Sequence, residues 1–174
     1  MMNAPRYRSE TRSTTIGDLP SDLRAALIAH ADKRKLKLIL ASVWQTHREN
    51  PPSRTMFGKL FGKRVNGADL DAAHDMVLVL HASHIFVGTS GRRRGTSVFS
   101  LPLLLATLSR GGLVATGPGG AFEAPSDDGL NIGGFPEKDG APGSHFMGLG
   151  AGDAAEACVL AATAAIDGAK ASSS

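Results

Sequence analysis

The spacing of hydrophobic positions changes along this chain, and the changes mark its elements. Leu23, Ala26, Leu27 and His30 keep the i, i+3, i+4, i+7 spacing of one helix face. Asp18 stands where a helix cap belongs and Pro20 falls in the first turn. Lys33, Arg34 and Lys35 close the pattern with cations that suit a helix C-terminus. The segment 36–47 can continue this helix or form a strand. Val43, Trp44 and Thr46 favour the strand, with Leu36, Leu38, Leu40, Ser42, Trp44 and Thr46 on one face. Asn50-Pro51-Pro52-Ser53 then breaks the chain. Met56, Phe57, Leu60 and Phe61, interleaved with Lys59, Lys63 and Arg64, predict an amphipathic turn packed as a lid within a long connection.

From Met76 onward the period is that of strands. Met76-Val77-Leu78-Val79-Leu80 is an apolar run, His81-Ala82-Ser83-His84 a tight turn, and Ile85-Phe86-Val87 a second strand. Residues 88–95 read as a polar hairpin bearing Arg92, Arg93 and Arg94, and 96–101 as the next strand, ended by Pro102. Glycine-flanked stretches at 113–116 and 121–123 predict a further hairpin. Short strands are expected at 130–132 and 146–149, separated by a Gly/Pro/Asp loop. The C-terminal helix is expected over 153–167. Asp153 and Glu156 make a capping-box-like start, and Ala155, Val159, Ala162 and Ile166 line one face, flanked by Cys158 and Ala165. Gly168 would end it. Ala154 falls on the opposite, solvent side.

These elements define an α+β chain. It comprises a flexible basic arm (1–17), an N-terminal helix (18–35), a bent antiparallel β unit with its closing helix (36–170), and a short tail (171–174). The 174-residue length fits one domain, and the 21 glycines and 9 prolines fit many turns rather than long helices. No stretch reaches the about 20 apolar residues of a membrane span, and no secretory signal follows the N-terminal arginines, so a cytoplasmic location is expected.

Charge is uneven. Residues 1–94 hold 16 of the 19 Lys and Arg and 8 of the 16 Asp and Glu, a net +8, while residues 95–174 carry a net −5. A basic half invites an anionic partner. Arg92-Arg93-Arg94 is the sharpest feature, because three neighbouring guanidiniums repel one another and contribute little to a folded monomer. Arg54, Lys59, Lys63 and Arg64 form a second basic group, and Arg6, Arg8 and Arg12 with Tyr7 a third.

Catalytic patterns are not found. Cys158 sits among apolar neighbours, where a thiol acts as a small core residue. His81 and His84 could meet across a turn, but a metal site needs three or four ligands. Asp127 and Asp128 lie in a loop with no element to fix them. Gly117-Pro118-Gly119-Gly120 lacks the Lys-Ser/Thr of a phosphate cradle, and no Gly-x-Ser-x-Gly elbow occurs. No catalytic residue, metal ligand or cofactor is assigned.

The stretch from Met76 to Gly88 resembles the strand–turn–strand of bacterial pleckstrin-homology-like domains, with 96–101 as the next strand. The resemblance covers about residues 36–170. It implies a partly open barrel of seven strands capped by the helix, and a binding or scaffold role rather than catalysis. His81 and His84 stand where family members carry Thr and Arg, and the basic residues between 48 and 74 do not reproduce the family's lipid-binding spacing. The expected function is therefore a binding module recognising a protein or an anionic surface, through Arg92, Arg93, Arg94, Arg54, Lys59, Lys63 and Arg64. Two alternatives use the same basic groups. One is nucleic-acid binding by the arm and the Arg tip, with Tyr7 stacking on a base. The other is peripheral binding to an anionic membrane through the Phe57/Phe61 segment.

Overall fold

The computed structural model describes residues 7–53, 55–56, 60, 62–69, 71–111, 128–137 and 140–173. In it the apolar run 76–80 is the inner half of strand β3 (Ala73–Leu80). Every position of the run is apolar because both faces of the strand are covered. Met76, Leu78 and Leu80 enter one hydrophobic cluster, and Val77 and Val79 enter another. Such a strand does not alternate, since neither face meets water.

Five antiparallel strands form the main sheet, in the order β1 (Arg8–Thr14), β2 (Ser42–Glu49), β3, β4 (His84–Gly91) and β5 (Gly95–Pro102). Helix α1 (Ser21–Lys33) lies on one face, where Leu23, Leu27 and Ala31 pack with Val43, Val77, Val79 and Phe86. Gly88 is not a turn residue but lies inside β4. A Cβ there would stand 2.8 Å from Val77 Cγ1 and 3.3 Å from Leu23 Cδ2, so the bare glycine makes the seat for Leu23.

The opposite face carries a second sheet of three strands, β6 (Thr107–Arg110), β7 (Gly129–Pro136) and β8 (Pro142–Gly148), together with helix α2 (Asp153–Ala171). Ala155, Cys158, Ala162 and Ile166 of α2 meet Leu130, Ile132, Met147 and Leu149 there, along with the inner side chains of the main sheet. The result is a three-layer arrangement with a core on each side of the main sheet. Among the described residues the strands form two sheets and no closed barrel.

Several expectations are corrected. Residues 8–14 are not a mobile arm but strand β1, paired with β2 from Arg8↔Glu49 to Thr14↔Val43. Their alternating polar letters carry no apolar face, so the pairing comes from backbone hydrogen bonds to an exposed strand edge. Segment 36–47 is a strand only from Ser42, because β2 begins where β3 ends, at Ser42↔Leu80. Residues 36–41 form a loop instead. Pro20, not Asp18, occupies the cap of α1, and the Asp18 carboxylate accepts a hydrogen bond from Thr15. The capping box at Asp153 does not form. Gly152 is the cap, and the Glu156 carboxylate pairs with Arg110 instead. Helix α2 passes through Gly168 to Ala171. Ala154 is half-buried rather than solvent-facing, and Val159 only half-buried against the core. The hairpin expected at 113–123, Asp127 and Gly117–Gly120 lie outside the described residues, as do Arg6, Arg54, Phe57, Lys59 and Phe61. No helix among the described residues is long and apolar enough to cross a membrane.

Candidate functional site

The pairing register sorts the loops to the two ends of the main sheet. One end gathers the start of β1, the end of β2, the described residues between 50 and 72 and the β4–β5 tip, since Arg8↔Glu49, Glu49↔Ala73, His74↔Gly91 and Gly91↔Gly95 are successive partners. This tip end brings together Arg92, Arg93, Arg94, Lys63 and Arg64, which lie far apart in sequence.

The tip is built on two carboxylates. The buried Asp71 side chain accepts hydrogen bonds from the backbone N–H of Arg93 at 2.7 Å, from that of Arg94 at 3.2 Å, and from Arg94 Nε at 3.0 Å. Gly91 makes this possible, because a Cβ there would overlap the Asp71 carboxylate. Gly95 turns the chain into β5 with φ +71°, a conformation that favours glycine. Asp69 receives Arg94 Nη2 at 2.6 Å and the Tyr7 hydroxyl at 2.6 Å. Burial by itself would raise the Asp69 carboxyl. The hydrogen bonds from Tyr7, the Asp71 N–H and Arg94, with the guanidinium charge, outweigh it and hold Asp69 at about 2. Asp71 is lowered too, its burial overcome by the N–H and guanidinium donors.

Around these acids lies an internal polar network. Tyr7 also accepts from Asn66 Nδ2 at 2.7 Å, and the Arg48 guanidinium lies 4.1 Å over its ring. Burial, then the bond to Asp69, pushes the Tyr7 hydroxyl up to about 12. The ring expected to stack on a nucleic-acid base is thus engaged within the fold. His74 is buried beside it, with Nδ1 3.6 Å from Asp69 Oδ2, too long for a hydrogen bond. Burial, reinforced by the charges of Arg94 and Arg48, lowers His74 to about 4, so the ring is neutral at pH 7.

The three tip arginines therefore divide. Arg94 is a strut, its guanidinium held by Asp69 and Asp71. Arg92 and Arg93 line an open groove of about 580 Å³ with Gly62, Arg64, Asp71, Ala72 and Ala73. Among the described residues neither guanidinium pairs with a carboxylate. Asp71 lines the groove as well, but its oxygens are turned to the tip backbone and Arg94. Arg64 Nη1 donates to the Asn50 carbonyl at 2.8 Å, which fixes its guanidinium at the groove wall. Lys63 is exposed beside it. Electropositive groups on a rigid frame can bind a phosphate or a carboxylate by charge-assisted hydrogen bonds.

The acids that build the site went unread in the sequence. The Asp69-x-Asp71 pair just ahead of β3 was the available signal, but its meaning depends on Arg94, 23 residues further on. The other chemistry-bearing residues lie elsewhere. His81 and His84 flank the β3–β4 turn at the far end of the sheet, where the Ser83 hydroxyl lies within hydrogen-bond distance of both rings, at 3.1 and 2.8 Å. Burial raises the Cys158 thiol to about 12. Among the described residues no three His, Cys, Asp or Glu side chains group as metal ligands. No protein-family model, curated protein or solved structure matches the chain.

Proposed function

We propose that this chain is a non-catalytic binding module, working in the cytoplasm, that captures an anionic segment of a protein partner at the tip end of its main sheet. The observation that carries this reading is the division of labour at the tip. Two buried carboxylates hold the hairpin backbone and Arg94, while Arg92 and Arg93 turn to an open groove shared with Arg64. Cations that served only the fold would be paired as Arg94 is. Asp71 anchors the backbone beneath Arg93, so binding has to order the two exposed side chains but not the tip that carries them. The resemblance of residues 36–170 to bacterial pleckstrin-homology-like domains points the same way, since it implies a binding role rather than catalysis. An acidic or phosphorylated peptide suits a groove of this size and sign.

The test is a titration of fluorescent hexaglutamate and phosphoserine peptides with the full chain, at low and physiological salt. Arg92→Glu/Arg93→Glu should weaken binding roughly ten-fold or more, chiefly at low salt. Equal affinity of the double variant and the parent would overturn the reading, as would no binding by the parent at low salt.

A further inference from the structure

The other end of the main sheet has a different chemistry. There β2 starts at Ser42, β3 ends at Leu80, β4 starts at His84, and β5 ends at Pro102. The loop of residues 34–41, between α1 and β2, closes this end. Its tip residues Ile39 and Leu40 are 89% and 93% exposed. Single exposed aliphatics are ordinary, but two adjacent ones with almost no protein contact are not explained by packing. Ile39 also borders an apolar groove of about 440 Å³ with Ile16, Ile28 and Leu38. Leu104 and Leu105, exposed just beyond β5, lie at the same end of the sheet.

Around this apolar tip stand Lys33, Arg34, Lys35 and Lys37, all exposed, against one exposed carboxylate in the segment, Asp32. Among the described residues none of the four cations forms an ion pair. The loop is held in place rather than loosely attached. The Leu36 N–H donates to the Ala31 carbonyl and the Lys35 N–H to the Asp32 carbonyl, both at 3.0 Å, and the Ala41 N–H donates to the Leu38 carbonyl at 3.1 Å. Lys35 makes the helix exit with φ 57°, where glycine is the usual residue. A cation thus stands at a position whose backbone favours glycine.

We propose that this end of the molecule docks on an anionic membrane surface. Ile39 and Leu40 enter the boundary between headgroups and acyl chains, and Lys33, Arg34, Lys35 and Lys37 meet the anionic headgroups. The pairing of an apolar tip with a cationic collar favours a membrane over a protein partner. Exposed aliphatics need an apolar phase, the collar needs negative charge beside it, and an anionic bilayer surface offers both in one plane. This site is at the opposite end of the sheet from the groove of Arg92 and Arg93. A docked molecule would therefore hold that groove away from the bilayer.

Co-sedimentation of the full chain with phosphatidylcholine vesicles, with and without phosphatidylserine, tests the proposal. The parent should pellet with the anionic vesicles and not with the neutral ones. Ile39→Ser/Leu40→Ser and Lys35→Ser/Lys37→Ser should each weaken partitioning roughly ten-fold or more, the second chiefly at low salt. Both pairs are exposed, so thermal melts should match the parent and exclude misfolding as the cause. Arg92→Glu/Arg93→Glu should leave vesicle binding intact, which separates this site from the groove. Three results would each overturn the proposal: no pelleting of the parent with anionic vesicles at low salt, pelleting unchanged in Ile39→Ser/Leu40→Ser, or self-association of the parent that the same variant abolishes while vesicle binding stays as it was.

Discussion

The buried His74 should make the folded state sensitive to mild acid. In the native fold its imidazole is lowered to about 4 from an ordinary value of 6.5, first by burial and then by the charges of Arg94 and Arg48. A group with a depressed folded pKa binds its proton more readily when unfolded. Its contribution to stability is complete above pH 6.5 and is lost as the pH falls toward 4. The gap corresponds to at most about 3.5 kcal/mol, at about 1.4 kcal/mol per pH unit. Carboxylates interfere little in this window, because Asp69, held at about 2, loses its contribution only at lower pH. His30, His84 and His145 are also lowered, with burial as the first cause in each, and add slope of the same sign. The difference between parent and His74→Gln isolates the single residue. Urea melts of both at pH 7.5, 6.5, 5.5 and 4.5 measure it. The packing loss in His74→Gln is the same at every pH, so the variant should trail the parent most at neutral pH, and the difference should narrow toward pH 4.5 because its acid slope is visibly shallower. Parallel curves for the two proteins across the window would refute the reasoning. They would mean that His74 takes up its proton in the fold without penalty.

Four further outcomes follow from the packing and the tip. Ala162→Asp puts an unpaired carboxylate at a fully buried position of α2 and should cost at least about 3 kcal/mol, whereas Ala164→Asp on the exposed face of α2 should cost under about 1 kcal/mol; urea midpoints compare them. Asp71→Ala removes three hydrogen bonds from the tip. Because Arg94 is partly solvated and keeps Asp69, the loss should be about 2–3 kcal/mol, and peptide binding should fall with it. Cys158, buried and raised to about 12, should react with a chromogenic disulfide only at the rate of opening, so its labelling in dilute urea should track the global melt. Lys35→Gly relieves a left-handed backbone and should stabilise by about 0.5–1 kcal/mol in thermal melts while weakening vesicle binding.

What the letters carried on their own was the local grammar. The α1 stripe at Leu23 and Leu27, the strands on either side of the His81–His84 turn, the hairpin bearing Arg92–Arg94 and the apolar face of α2 all follow from period and turn chemistry, which act within a few residues. The clustering of cations in the first half was legible too. Other features depend on which strands come to lie side by side. Arg8 to Thr14 has no apolar face and becomes a strand only because β2 offers an edge. Ile39 and Leu40 look like strand residues in sequence, and they project into solvent because β2 cannot pair beyond the end of β3 at Leu80. Arg92, Arg93 and Arg94 are identical as letters. They separate into two groove residues and one strut because Asp69 and Asp71, distant along the chain, are carried to the tip by the register of β3 with β4. Period and propensity are short-range properties of the chain, whereas the pairing of a carboxylate with one arginine among three depends on distances that only the assembled sheets decide.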